Sequence, residues 1–253
     1  MFRLGGLGIT ATQAVLISGV VFGAAFVQSA AGFGFSLLAV PLLALMVPPS
    51  TAVIAALCLS LLINVGMLTQ VRSHADLGEA RRLSLAAALA MPFGVLLLLN
   101  APAGALRILV GAVSGAAAIW LLCGARGGQH LTGRFAGWIA GGISGVLNTS
   151  TSANGPPLVV YLRARRLSPE AFRATMAIVL VVSGVIGLTL LGLAGAIHGG
   201  AGALVLWTLV PSAAGLGCGR LIARRLKAPH FTVLVDLLLL MSGLAAIAKS
   251  LAG

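Results

Sequence analysis

Acidic side chains are almost absent from this chain: four Asp and Glu in 253 residues, against sixteen Lys and Arg. Aromatics are scarce at 5%, with one tyrosine, and charged residues of both signs reach only 8%. A soluble domain carries about 25% charged residues, so this chain lacks the means to cover itself with water. Cysteines are few and far apart (Cys58, Cys123, Cys218) and odd in number. That excludes a disulfide framework and a thiolate metal site, and they read as small hydrophobes in helix packing. No His-Glu-x-x-His run, carboxylate pair, nucleophile with its base, or phosphate-cradling Gly-x-x-x-x-Gly-Lys-Ser/Thr loop occurs. An enzyme is therefore not expected, and neither a cofactor nor a metal is implied. His74, His130, His198 and His230 sit at loops or segment ends and are assigned to the surface.

What the chain has in abundance is hydrocarbon. Hydrophobic residues make up 59%, and the mean hydropathy is +1.11. About 20 apolar residues of helix cross a bilayer. Apolar segments fall near 8–27, 34–47, 51–70, 83–99, 103–123, 133–147, 155–162, 170–192, 201–221 and 231–250. The expected fold is an all-α membrane protein, a polytopic bundle of about ten segments. Pro48-Pro49-Ser50 and Ser168-Pro169-Glu170 mark helix starts, and Asn100-Ala101-Pro102 and Thr132-Gly133 mark turns. Arg3 followed by an apolar run and small residues resembles a signal peptide. The run continues into further apolar sequence, so retention is expected.

The formal net charge of +12 does not point to nucleic acid, because the basic residues are confined to short loops. They cluster around 71–82, 124–134, 163–173 and 220–227, with only Arg3, Arg107 and Lys249 elsewhere. Counting segments puts all four clusters on one side, the cytoplasmic side by the positive-inside rule. The chain then divides into 1–125 and 126–253, two halves of five segments. Halves with an odd number of segments are inverted relative to one another, a plan common among secondary transporters. A shift of 120 residues places Gln28-Ser29 on Asn148-Thr149 and Pro49 on Pro169.

Each half carries a polar, glycine-bearing interruption before a short segment: Gln28–Ser36 and Asn148–Pro157. The segments that follow, 34–47 and 155–162, are short for a crossing and are expected to be broken or re-entrant helices. Irregular backbone at membrane depth must be buried in protein or line a cavity. Paired breaks in inverted halves point to a binding site. A half-helix starting after a break aims free N–H groups and a positive dipole end at that site, which suits an anion. Gly32, Gly34 and Gly155 permit close backbone approach, and Pro156 and Pro157 start a helix. Gln28, Ser29, Ser36, Asn64, Asn148, Thr149, Ser150, Thr151, Ser152 and Asn154 offer the hydrogen bonds of a substrate-binding set. The competing reading is that these hydroxyls bond helix carbonyls and hold a kink. Asp236, an acid inside an apolar run, is a candidate for carrying a coupling proton, with pairing to Arg220 or Arg224 as its alternative. Arg107 is expected to snorkel to the interface.

The run Gln28-Ser-Ala-Ala-Gly-Phe-Gly-Phe35 leading into Val40-Pro41-Leu42-Leu43, together with Asn154-Gly-Pro-Pro-Leu-Val-Val-Tyr-Leu162, resembles the TauE/SafE sulfite exporter family. Chain length and the two-half organisation fit as well. The resemblance implies a bacterial inner-membrane secondary transporter of a small sulfur-containing anion such as sulfite or an organosulfonate, with a proton as the coupling ion. Export is the favoured direction. An uptake permease for a small carboxylate or sulfonate and a passive anion channel are the alternatives. The expected partners are a small anionic substrate and the lipid bilayer.

Overall fold

In hydrocarbon no water can satisfy a peptide N–H or C=O, so a chain this apolar must close its hydrogen bonds within helices. The computed structural model, which describes residues 2–4, 7–71, 74–122, 135–165 and 167–223, does so throughout, apart from a short ribbon at the N-terminus. That ribbon pairs β1 (Phe2–Leu4) with β2 (Leu7–Ile9) in antiparallel register. The helices described are α1 (Ala11–Ala31), α2 (Phe35–Leu43), α3 (Pro49–Val71), α4 (Leu77–Asn100), α5 (Ala103–Leu122), α6 (Ala136–Thr151), α7 (Gly155–Ala164), α8 (Pro169–Leu193) and α9 (Gly199–Ala223). Six of them, α1, α3, α4, α5, α8 and α9, are long and apolar enough to cross a bilayer. This is a multi-pass membrane protein.

Three expectations need correction. The first apolar segment does not begin as helix at residue 8. Leu7–Ile9 is strand, and α1 starts at Ala11 because Thr10 and Gln13 form a reciprocal capping box. The polar stretch from residue 148 is not a loop from its outset: Asn148–Thr151 form the last turn of α6, and only residues 152–154 leave the helix. Arg107 does more than snorkel, since its Nε donates to the Ala44 carbonyl at the end of α2 (3.3 Å). The expected tenth segment, with Asp236, the Thr132-Gly133 turn, Cys123, His130 and His230 all lie outside the described residues.

Caps explain several boundaries. Ser168 accepts from Ala171 N–H (3.2 Å) to open α8, as its Ser-Pro-Glu signature foretells. Asp76 does the same for α4, accepting from Glu79 N–H (3.0 Å).

Helix pairing is led by α4 on α6 and by α1 on α9. Both contacts rest on small residues that let backbones touch. A Cβ on Gly145 of α6 would run into the Ala87 carbonyl of α4, and one on Gly94 of α4 into Val146 O and Thr149 Oγ1 of α6. On the other side, Gly219 of α9 lies against Ser29 Oγ and Phe26 O of α1. Phe26 and Ser29 stand 120 residues before Val146 and Thr149. The two leading contacts therefore use corresponding positions of α1 and α6.

Candidate functional site

Both short helices arise from a local stop and restart. Gly32 ends α1 in the left-handed region (φ 85°), its N–H returning to Gln28 O at 2.8 Å, and Gly34 (φ 108°) precedes α2. Glycine carries no Cβ to penalise that backbone. In the second half Ser152 ends α6 at φ 59°, its N–H returning to Asn148 O at 3.1 Å. Ser152 is the one non-glycine residue with positive φ among the described residues. A β-carbon in this region costs roughly 1–2 kcal/mol, so something nearby must hold it. Ser36 Oγ, in the first turn of α2, lies 2.9 Å from Ser152 Oγ, and both residues are buried. This hydroxyl pair joins the two breaks.

The first residues of α2 and α7 thus share one small cavity of about 10 Å³, the size of a single water site. Gln28, Gly34, Ser36, Ser60, Ser152, Asn154 and Gly155 supply its polar and backbone lining, and Phe33, Phe35, Leu37 and Leu180 its apolar walls. Its depth follows from the far ends of the half-helices. The end of α2 meets α5 beside the α4–α5 connection through Arg107. The end of α7 meets the beginning of α4, where Arg165 pairs with Glu79 at 3.0 Å. Those are opposite ends of the membrane-length helix α4. The two half-helices leave the cavity towards opposite faces, over roughly 14 and 15 Å at 1.5 Å per residue. Together they match a hydrocarbon core about 30 Å thick, which puts the cavity near mid-depth.

A chain of hydrogen bonds fixes the polarity of the lining. Phe35 N–H can only donate, and it donates to Gln28 Oε1 (2.8 Å). Gln28 must then present Nε2 to Asn64, bonding its Oδ1 at 2.7 Å, and Asn64 Nδ2 donates to Ser60 Oγ at 3.2 Å. Ser60 accepts from that side and keeps its hydroxyl proton for the cavity. Asn154 is a buried residue (7% exposed) that lines the cavity; its side-chain amide makes no capping bond to α7 and has no hydrogen-bond partner among the described residues. In the first turn of α2, Ser36 and Leu37 keep N–H groups without a helical acceptor. The cavity offers donors.

The remaining residues of the expected set lie away from this cavity. Ser150 and Thr151 donate to Val146 O (2.7 Å) and Leu147 O (2.9 Å), one turn back. Thr149 donates to Met91 O on α4 (2.8 Å). Asn148 Nδ2 donates to Ser183 O on α8 (2.9 Å), while Asn148 Oδ1, Ser183 Oγ and Ser29 Oγ are buried with no partner. Gly32 sits beside the stem of Arg173, and Pro156 and Pro157 line an apolar groove with Trp120 and Tyr161. Asn64 reaches the cavity only through Gln28 and Ser60.

Two participants escaped sequence reasoning. Ser60 stands in the apolar run of α3, and its signal is the spacing of four residues to Asn64, which stacks both on one helix face. Glu79 reads as a loop acid but is 3% exposed, accepts from Tyr161 O–H at 2.8 Å, and lies 3.0 Å from Arg165 and 3.5 Å from Arg82. It anchors the far end of α7 to α4.

No curated protein and no solved structure matches the chain. The family model described as Sulfite exporter TauE/SafE matches residues 16–246, nearly the whole length, including both breaks and every residue of the cavity. The chain belongs to this family of membrane transporters.

Proposed function

We propose that this protein is a secondary transporter that exports a small sulfur-containing oxyanion, such as sulfite or an organosulfonate, across the bacterial inner membrane. The basic loops face the cytoplasm, and residues 1–125 and 126–253 act as two inverted repeats. Substrate binds where the breaks meet, against Gln28, Ser36, Ser60, Ser152 and Asn154, and alternating exposure comes from one repeat moving against the other.

The observation that carries this reading is the convergence of two half-helix N-termini on one buried, donor-lined cavity at mid-depth. An acceptor-rich anion satisfies such donors. With room for only one water, the cavity describes a closed state that must widen to admit substrate.

The test is a thermal-shift screen of the purified protein against sulfite, thiosulfate, sulfonates, sulfate and small carboxylates, since native-state binding raises the melting temperature. Stabilisation by sulfite or a sulfonate, lost in Asn154→Leu, is the expected outcome. Equal stabilisation of wild type and variant would remove the site from this cavity. Saturable counterflow in vesicles is expected for a carrier, whereas non-saturating flux would mark a channel.

A further inference from the structure

We infer that the cavity selects a monoanionic oxyanion and rejects the dianion of the same shape. This rests on the binding site proposed above and concerns the charge of its occupant. No Asp, Glu, Lys, Arg or His lines the cavity among the described residues, and its polar side chains are amides and hydroxyls. Arg173, whose stem passes Gly32, is exposed. The positive field comes from the starts of α2 and α7, each equivalent to about half an elementary charge. The ends of α1 and α6 come to the same level with the opposite sign and offset part of that field, so the net compensation stays well below one full charge. One negative charge is met in part by that residual field and otherwise by hydrogen bonds from the Ser60 hydroxyl and the unpartnered amide of Asn154, a residue more than nine-tenths buried. A second negative charge would be buried without compensation, which is costly in a low-dielectric site.

One consequence follows for a substrate that titrates near neutrality, as sulfite does. The form carried is the hydrogen-bearing monoanion, so one proton crosses with each anion, attached to its cargo. Asn154, Ser60 and Gln28 then couple proton and anion movement with no titrating side chain in the cavity.

The test compares two tetrahedral probes of similar size, methanesulfonate (one charge) and sulfate (two charges), by calorimetric binding to the purified full chain at fixed ionic strength. Wild type is expected to bind methanesulfonate at least about tenfold more tightly than sulfate. Asn154→Lys, which adds one positive charge at the lining, is expected to bring sulfate to parity or beyond. As a second measurement on the unaltered protein, affinity per total sulfite is expected to fall as rising pH converts the monoanion to the dianion. Sulfate binding as tight as methanesulfonate in wild type, with both lost in Gln28→Leu, would overturn the charge rule and leave the site standing. Binding of neither probe, or binding indifferent to Gln28→Leu, would overturn the site and the charge rule together.

Discussion

The two breaks solve one geometric problem with opposite chemistry. Around Gln28 most polar groups are paired: Phe35 N–H, Gln28, Asn64 and Ser60 form a single directed chain, only Ser29 Oγ is buried without a partner, and the turn runs through glycines that accept positive φ without strain. Around Asn148 the accounts stay open. Asn148 Oδ1 and Ser183 Oγ are buried without partners, and the turn passes through Ser152, strained by its β-carbon. A buried polar group without a partner costs about 1–3 kcal/mol, and backbone strain persists only when its surroundings hold it in place. The first break carries less unmet polarity and less strain in this conformation than the second. Any widening of the cavity is therefore expected to begin at residues 148–154.

The comparison is broken most severely at the helix contacts beneath each break. Gly145→Leu drives a side chain into the Ala87 backbone, and Gly219→Leu drives one into Phe26 O and Ser29. Each is expected to cost about 3 kcal/mol or more, read as loss of a monodisperse peak in size-exclusion chromatography. If either tolerates leucine, backbone contact does not support that break.

The amide pair sharpens the contrast at lower cost. Gln28→Leu orphans Phe35 N–H and Asn64 Oδ1 and is expected to remove about 2–4 kcal/mol together with anion binding. Asn148→Leu deletes an atom that is already unpaired and removes a second donor from Ser183 O, which keeps its bond within α8, so its cost is expected to stay below about 2 kcal/mol. Melting temperatures of the two variants side by side decide the matter; equal losses would mean that the halves are equally satisfied.

Turn substitutions probe the strain. Gly32→Ala places a β-carbon at positive φ and is expected to cost about 1 kcal/mol, whereas Ser152→Gly relieves a comparable amount and gives up the bond to Ser36. The two should move the melting temperature in opposite directions or leave Ser152→Gly near neutral. A similarly small effect is expected from Glu79→Gln, which weakens the pairing with Arg165 but keeps an acceptor for Tyr161. Since Arg165 is well exposed, the loss is about 1 kcal/mol, visible as faster proteolysis near the α7–α8 connection.

Much of this was legible in residue types. Glycines at 32 and 34, prolines at 156 and 157 and the brevity of the following apolar runs located both half-helices. Ser168-Pro169-Glu170 marked the start of α8. The content of the second break was harder to read, because Ser and Thr hydroxyls look alike whether they face a ligand or bond a carbonyl one turn back. Ser150 and Thr151 do the latter, which lets the helix run on to Thr151. Ser60 was invisible because its role comes from a partner on another helix, Gln28 acting through Asn64. Glu79 was not singled out because its partners, Tyr161 and Arg165, lie about 80 residues away in the other half.

The directed chain from Phe35 to Ser60 passes the sign of the ligand through Asn64, which does not line the cavity. Replace Gln28 by Glu, a one-atom exchange of nitrogen for oxygen, and an ionised carboxylate still accepts Phe35 N–H but can no longer donate to Asn64. Asn64 would then turn its NH2 towards residue 28 and its oxygen towards Ser60. The Ser60 proton would swing to Asn64, and a lone pair would face the cavity. A reader of cargo would become its own negative image, with no cavity-facing group substituted except the amide that starts the sequence. One exchange at Gln28 would thus reverse what Ser60, itself unchanged, presents to the cargo.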